Sequence, residues 1–540
     1  MPDSTLTSDS FNLDEQNALN PYFGNVDQRI FVLTNLPEVV KGALFARYSR
    51  SAKTVRRLFL DEFYSHVNQN AQRSSDAGLE RAERLYAKVF GDYGDDSVAQ
   101  LGGAHIACEG VSNVLTKVLE RGRLMSYLEQ STRYVPYTDR PNGRWKYVIP
   151  DEIIESGLRN LFVERLDRAF EIYASWIKPI ESHYRTLYPK SKSDSEAIYV
   201  AAIRAKALDS LRGLLPSATQ SNVGIFGSGQ AFESLLLAMK AHPLLEANGV
   251  GIQMLSELRK VIPAFLTRVD RTDRGVAWSK YLSNRRQEAD ILARELLQDT
   301  TPETKPEVTL SDFDPDGEIK VVAAVLYASS HVPYDQLLST ARNMPTDDRI
   351  RVLKAYVGER QNRRHRPGRA FEHATYCFDV LSDYGAFRDL QRHRMLTIDW
   401  QTLTTLHGHV QPAVIEEVGA KSDWNRIIEE SADLQHRLVQ EYSPSVAQYA
   451  VSMAYRIRFY MQMNAREAMH VIELRTSPQG HPSYRRVCQQ MHRLIADKAG
   501  HKAIAESMIF ADHSEIELER LEAERSAEKR QKKNQRDPSS

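Results

Sequence analysis

Residues 121–134 read Arg121-Gly-Arg123-Leu-Met-Ser126-Tyr-Leu-Glu129-Gln-Ser131-Thr-Arg133-Tyr134. Three arginines, two serines and one carboxylate over so short a stretch make a donor-rich loop. A guanidinium offers paired N–H donors in the geometry that a phosphate accepts, and serine hydroxyls add short bonds to the same oxygens. An anionic nucleotide suits that chemistry; a surface ion-pair loop is the plainer reading. A second segment, Arg392-His393-Arg394-Met-Leu-Thr397, is similarly basic. A third, Asn464-Ala-Arg466-Glu-Ala-Met-His470-Val-Ile-Glu473-Leu-Arg475, has helical spacing. On a 3.6-residue period Asn464 and Arg475 share a face about three turns apart, and Arg466 and His470 are about one turn apart.

The elements that must carry these residues are mainly helices. Residues 111–119 hold apolar side chains at helical intervals and lead straight into Arg121. Leu381, Tyr384, Phe387 and Leu390 form a matching stripe ahead of Arg392. Residues 1–27 read as a disordered lead-in. Residues 28–275 form a first domain, with a short strand-like run at 29–33, and 276–317 a connecting helix and linker marked by Pro302, Pro306 and Pro315. Residues 318–512 form a second domain, and 513–540 a charged helical tail. The expected class is α+β: two tandem domains, each a central sheet flanked by helices.

With 540 residues, 71 Lys+Arg against 71 Asp+Glu, and 42% apolar residues, the chain can bury large cores but lacks the basic surplus of a nucleic-acid coat. Three cysteines, widely spaced and odd in number, suit a reducing compartment. The N-terminus lacks the basic and apolar regions of a signal peptide, and no apolar run approaches spanning length. A soluble cytoplasmic protein is expected. Gly224-Ile-Phe-Gly227-Ser-Gly229 lacks the lysine of a P-loop and is read as a flexible turn. His407-Gly-His409 has no cysteine or carboxylate cluster beside it and is read as a surface turn. No metal is expected.

The loop at 121–134 resembles the substrate loop of flavin-dependent thymidylate synthases, Arg-His-Arg-x-x-Ser-x-Asn-x-x-Ser-x-Arg-Tyr. Arg121, Arg123, Ser126, Ser131, Arg133 and Tyr134 match it, and Glu129 matches the acid usually found inside it. Gly122 and Leu128 replace the histidine and asparagine. The second copy keeps Arg392, His393 and Arg394, has Thr397 for the serine, and then diverges. Arg364-His365-Arg366 lacks the downstream pattern and is read as a basic loop. The family's Glu-His pair is matched by Glu372-His373, its proline-linked arginine by Arg212 in Arg212-Gly-Leu-Leu-Pro216, and its Asn-x-Arg…Leu-Arg helix by Asn464, Arg466 and Arg475. The equivalents in the other copy are Gln100-Leu101, Gln448, Ser228-Gly229-Gln230 and Met239.

The resemblance implies one composite site between two partly degenerate copies. The first supplies Glu129, Ser131, Arg133 and Arg212; the second supplies Arg392, His393, Arg394 and Arg475. Substrate contacts fall to Glu129, Ser131, Arg133, Arg212, Arg392 and Arg475, with Arg475 catalytic in stabilising ionised uracil. Flavin contacts fall to His373, Arg392, His393, Arg394, Asn464, Arg466 and His470, with Glu129 between the ligands. The implied reaction is reductive methylation of dUMP to dTMP, using FAD, methylenetetrahydrofolate and NADPH, in a homodimer that imitates the family's tetramer. Asp389 departs from this pattern, standing where the family has glutamine near dUMP. An inactive flavin or nucleotide binder, or a methylase of another pyrimidine, stays open beside it.

Overall fold

The computed structural model describes residues 10–49, 51–65, 67, 100–192, 194–516, 521 and 525. Elements named in the first part of the chain are α1 (Leu13–Leu19), α2 (Glu38–Tyr48), α3 (Val55–Glu62), β1 (Gly103–Ser112), α4 (Asn113–Leu119), β2 (Met125–Glu129), α5 (Arg159–Leu187), α6 (Glu196–Leu211), β3 (Gln220–Ser228), α7 (Gly229–Lys240), α8 (Leu245–Leu258) and α9 (Ala277–Leu296). The second part contributes β4 (Val308–Phe313), α10 (Gly317–Tyr327), α11 (Tyr334–Asn343), α12 (Thr346–Val357), β5 (Thr375–Asp383), α13 (Tyr384–Leu390), β6 (Thr397–Trp400), α14 (Lys421–Glu441), β7 (Arg456–Asn464), α15 (Ala465–Arg475) and α16 (Pro482–Asp497).

Two antiparallel sheets result, one ordered β1-β3-β2 and the other β4-β5-β7-β6. The expected mixture of helices and small sheets is borne out. In both parts a long strand runs into a seven-residue helix, then a short strand, and later a second long strand runs into another helix. The helix starts are punctuated alike. Ser112 and Asp383 accept from the backbone N–H of Leu115 and Ala386, and Ser228 and Asn464 from those of Ala231 and Glu467. Strand β7 alternates as a half-buried strand should, with Ile457, Phe459, Met461 and Met463 all in the core.

The chain divides into two compact units. The first comprises described residues of 1–109, 122–129 and 222–300; the second comprises those of 110–121, 130–221 and 301–540. In the first, Met125 to Glu129 pair with Gly227 to Val223. The segment 224–229 is therefore not a turn: it closes β3 and opens α7. Its glycines serve close packing, since a Cβ at Gly229 or Gly227 would lie 2.6 Å from Phe265 or 2.7 Å from Met125.

The second unit has one core containing Phe170 and Leu208 from the first part and Phe378, Trp424 and Met461 from the second. The equivalent segments beginning at Arg212 and Gln448 are both 3-10 turns, and they bond to each other. Ser217 N–H donates to the Val451 carbonyl at 2.8 Å, Met453 N–H to Leu215 at 2.9 Å and Ala454 N–H to Gly213 at 3.0 Å. Gln448 itself accepts from Leu403 N–H at 3.0 Å, a structural duty. Nearby, Tyr384 Oη donates to the Asn113 carbonyl at 2.9 Å, joining α13 to α4. Helix α5 lies against α14 through Trp176 Nε1 to Asp423 at 2.9 Å and Arg165 to Glu430 at 3.2 Å.

Three expectations need correction. The lead-in is not disordered over residues 10–27: Asn12 and Glu15 form a reciprocal capping box on α1, and Leu19 and Phe23 are buried. The run 29–33 makes only a single bridge, Phe23 to Leu33. Strand β4 falls inside the segment expected to be linker; its short Val308-Thr-Leu310 alternation is hidden among prolines, yet both apolar residues pack in the core. The charged tail lies almost wholly outside the described residues, though Arg525 pairs with Asp194 at 2.6 Å.

Candidate functional site

The site lies within the second unit. Helix α6 ends by presenting Asp209 and then Arg212, one turn apart. Helix α13 is capped at one end by Asp383 and carries Asp389 near the other, followed by the turn holding Arg392 and His393. The last residue of α15 is Arg475, and α16 begins at a cap formed by His481.

These elements bring four arginines around one carboxylate. Arg392 Nη2 meets Asp389 Oδ1 at 2.5 Å; Arg475 Nη1 approaches the same oxygen at 3.4 Å and its Nη2 donates to the Asp389 carbonyl at 2.5 Å. Arg133 Nε donates to Asp209 Oδ2 at 2.7 Å, and Arg212 Nη1 stands 3.6 Å from Asp209 Oδ1. Burial pushes the Asp389 carboxyl up, but Arg475, Arg392, Arg212 and Arg133 together hold it far below the usual carboxylate range. Burial alone would lower Arg133, yet Asp209, Tyr484 and Asp389 raise it.

Arg212 is 6% exposed, and its Nη2 has no hydrogen-bond partner among the described residues. A buried unpaired guanidinium nitrogen is costly and signals a missing acceptor. The guanidinium lies against Gly385, where any side chain would collide with it. Four guanidinium groups against the carboxylates of Asp209 and Asp389 leave an excess of two positive charges. That excess is complementary to a phosphate monoester, which carries roughly two negative charges near neutrality.

A second cluster adjoins the first. Arg475 Nε donates to His393 Nε2 at 2.9 Å, and His393 Nδ1 lies 3.6 Å from Glu467 Oε1. The rings of His393 and His470 are 5.4 Å apart. His393, Glu467 and His470 could each offer one metal ligand within a common 4.8 Å. The surrounding charge opposes a cation: Arg366, Arg466 and Arg394 act on Glu467, and Arg366, Arg363 and Arg475 on His470. This donor set suits an anionic group with several phosphate oxygens better than a metal. Burial, reinforced by these arginines, lowers His470 to about 4. Burial raises Glu467 to about 7, the arginines opposing it.

Of the residues expected from sequence, Arg133, Arg212, Arg392, His393, His470 and Arg475 converge here. Ser131 supports the loop, its Oγ accepting from Arg133 N–H at 3.3 Å. Arg394 is exposed at the edge. Arg466 donates to the Pro367 carbonyl at 3.0 Å and reaches Glu372 at 3.6 Å. Asn464 spends its side-chain oxygen on the α15 cap, and exposed His373 bonds Tyr334 Oη at 3.0 Å. Glu129 ends β2 in the first unit, buried and paired with Val223.

Sequence reasoning missed Asp209, Glu467, His481 and Tyr484. Asp209 stands three residues before Arg212 on one helix, a spacing that signals an ion pair. Glu467 lay inside a recognised motif without a role. The Arg475 guanidinium sits 5.4 Å over the Tyr484 ring. His481 is driven well below the ordinary histidine range by burial, then by Arg212, Arg133, Arg486 and Lys206.

The family model for thymidylate synthase complementing protein matches residues 43–264 and 309–499. The chain belongs to this family. The two matched segments cover both parts of the chain in tandem order. Full-length family relatives include a UPF0159 protein from Chlamydia muridarum, 37% identical over 95% of this chain and 98% of its own length. A UPF0159 protein from Thermoplasma acidophilum is 30% identical, covering 90% of this chain and 97% of its own. A flavin-dependent thymidylate synthase from Clostridium tetani is 26% identical over 33% of this chain and 67% of its own length. Within the described residues of this family member, no helix is long and apolar enough to cross a membrane.

Proposed function

We propose that this chain binds dUMP at the arginine cluster and methylates it reductively to dTMP, with FAD as cofactor and methylenetetrahydrofolate and NADPH as co-substrates. One observation carries the reading: Arg133 and Arg212 from the first matched segment meet Arg392 and Arg475 from the second around Asp389. Each segment lacks what the other supplies, so their convergence supports a single working site. Arg133 and Arg212 would hold the phosphate, with Ser131 fixing their loop, and the unpaired Arg212 Nη2 would find its acceptor there. Arg475 would face the uracil and stabilise negative charge as it develops.

The flavin side would be formed by Arg392, His393, Arg394, Arg466 and His470, with Asn464 offering its amide nitrogen; the charge around Glu467 fits a diphosphate. When bound, FAD supplies the hydride chemistry, and the protein orients the ligands and keeps out water. Glu129 and His373 are assigned to the ligand-facing set on resemblance alone. Two chains would pair as a homodimer.

A second reading, nucleotide binding without turnover, is favoured by Asp389, because its carboxylate already engages Arg475. Another pyrimidine nucleotide as substrate is the third. Tritium release from dUMP labelled at the 5-position separates them. With FAD, NADPH and the folate present, release and formation of dTMP are expected. Bound flavin without release under any reductant would leave only the binder, and release from a different pyrimidine nucleotide alone would move the substrate.

A further inference from the structure

The motif glutamate that no role absorbed, Glu467, is 7% exposed and stands at the head of a chain of side chains ending at the arginine cluster around Asp389. The order is Glu467 Oε1, His393 Nδ1 at 3.6 Å, His393 Nε2 to Arg475 Nε at 2.9 Å, and Arg475 Nη2 to the Asp389 carbonyl at 2.5 Å. The hydrogens along it are determined. An arginine Nε is always a donor, so His393 Nε2 must be the acceptor and carries no hydrogen. The neutral ring then bears its hydrogen on Nδ1, aimed at Glu467. A carboxylate stabilises that tautomer and so fixes the ring that fixes the arginine.

We propose that Glu467 is a positioning residue: acting through the His393 imidazole, it holds the Arg475 guanidinium against Asp389 and lets it go when the carboxyl takes up a proton. A neutral carboxyl can donate to Nδ1, which moves the ring hydrogen to Nε2. Nε2–H then meets Nε–H of Arg475, donor against donor, and the bond that orients the guanidinium is lost. His393 does not take the proton itself, being kept neutral by burial and then by Arg475, His470 and Arg392.

The groups facing Glu467 come from several elements: Arg466 and His470 on its own helix, Arg366 from the loop before β5, and His393 and Arg394 from the turn after α13. The arginines favour the carboxylate and burial opposes them, leaving a transition near neutrality, at about 7. Above it Arg475 is held; below it Arg475 is released. Nucleotide affinity should therefore rise with pH through this range. That second consequence rests on the nucleotide reading of the pocket; the first does not.

Two measurements test it. Histidine-selective 15N NMR of the ligand-free full chain from pH 5.5 to 8.5, with His393→Gln to assign the resonance, reads the tautomer directly. The expected result is Nδ1–H at high pH, giving way to Nε2–H below about 7. In Glu467→Gln, whose amide cannot titrate, the tautomer should be the same at every pH. A wild-type ring with Nε2–H at pH 8.5, or the same pH course in the Gln variant, overturns the proposal. Should that variant unfold, Glu467→Asp keeps the charge but withdraws it by one methylene; an unmoved midpoint there would likewise overturn it.

Calorimetric titration with dUMP reads the functional arm. Wild type should bind roughly tenfold tighter at pH 8 than at pH 6, the scale of one charge-assisted hydrogen bond. Ionisation of the phosphate itself, which also falls near pH 6, persists in Glu467→Gln and serves as the baseline. A step equal in both proteins refutes the coupling of Glu467 to the pocket. A chain that binds no dUMP at any pH refutes the nucleotide reading and leaves the tautomer result to stand or fall alone.

Discussion

Arg475→Ala will lower turnover of dUMP by at least about 100-fold, the usual scale for deleting a group that stabilises charge developing in a transition state. Arg475 is bonded to both clusters, through Nε to His393 and through its two terminal nitrogens to Asp389. Its removal strips the leading counter-charge from Asp389, which would then repel phosphate more strongly. Affinity for dUMP should fall together with the rate. Arg133→Ala should produce a comparable loss, since it comes from the other matched segment yet serves the same pocket. Arg123→Ala, a change in the first unit, should leave turnover within about threefold. Steady-state tritium release on the three variants decides this; an equal loss at Arg123 would contradict a single composite site.

Glu473→Ala will destabilise the fold by about 3–5 kcal/mol, the range for leaving one member of a buried ion pair without its partner. Glu473 and Arg360 are each 1% exposed at the side chain, and they bond in parallel at 2.6 Å and 2.6 Å. Arg360 also donates to the Ser507 carbonyl at 2.7 Å, and Phe510 N–H donates to Glu473 at 3.3 Å. The pair thus fastens α15 to the segment before β5 and to the chain beyond α16. Alanine leaves a buried guanidinium without its carboxylate. Arg360→Met with Glu473→Leu, which removes both charges, should restore most of the stability. Urea unfolding midpoints measure both; a shift under about 1 kcal/mol for Glu473→Ala would mean that water reaches Arg360.

Much of the site was legible in the residues because arginine spacing survives in local motifs. Arg133, Arg212, Arg392 and Arg475 were each identifiable from a few neighbours, and their division between two segments pointed to one pocket. The carboxylates that balance them were harder. Asp389 stood out only as a mismatch that ought to repel phosphate, whereas in three dimensions four guanidinium groups neutralise it. Asp209 belongs to a helix with no motif of its own. Among the elements, glycines misled at 224–229: a strand whose neighbours come very close tolerates no Cβ, and the same composition reads as a turn. Strand β4 was obscured for the opposite reason, since the prolines around it marked a linker while two buried apolar residues sufficed to place a strand. Long-range pairing, such as that of the 212 and 448 turns, leaves no mark in local sequence.

The boundary between the compact units passes through β1 and β3 as well as through the proline-rich connection near residue 302. Residues 130–221 and 301–540 share a hydrophobic interior although the first family match ends at 264 and the second begins at 309. A protease or a gene truncation acting at that connection would not return two self-sufficient proteins. Each piece would lack arginines that the other holds, and the longer interior would be torn open. The arrangement works as a ratchet: with the arginines of one cluster divided between the two matched segments, neither segment can be discarded or set free.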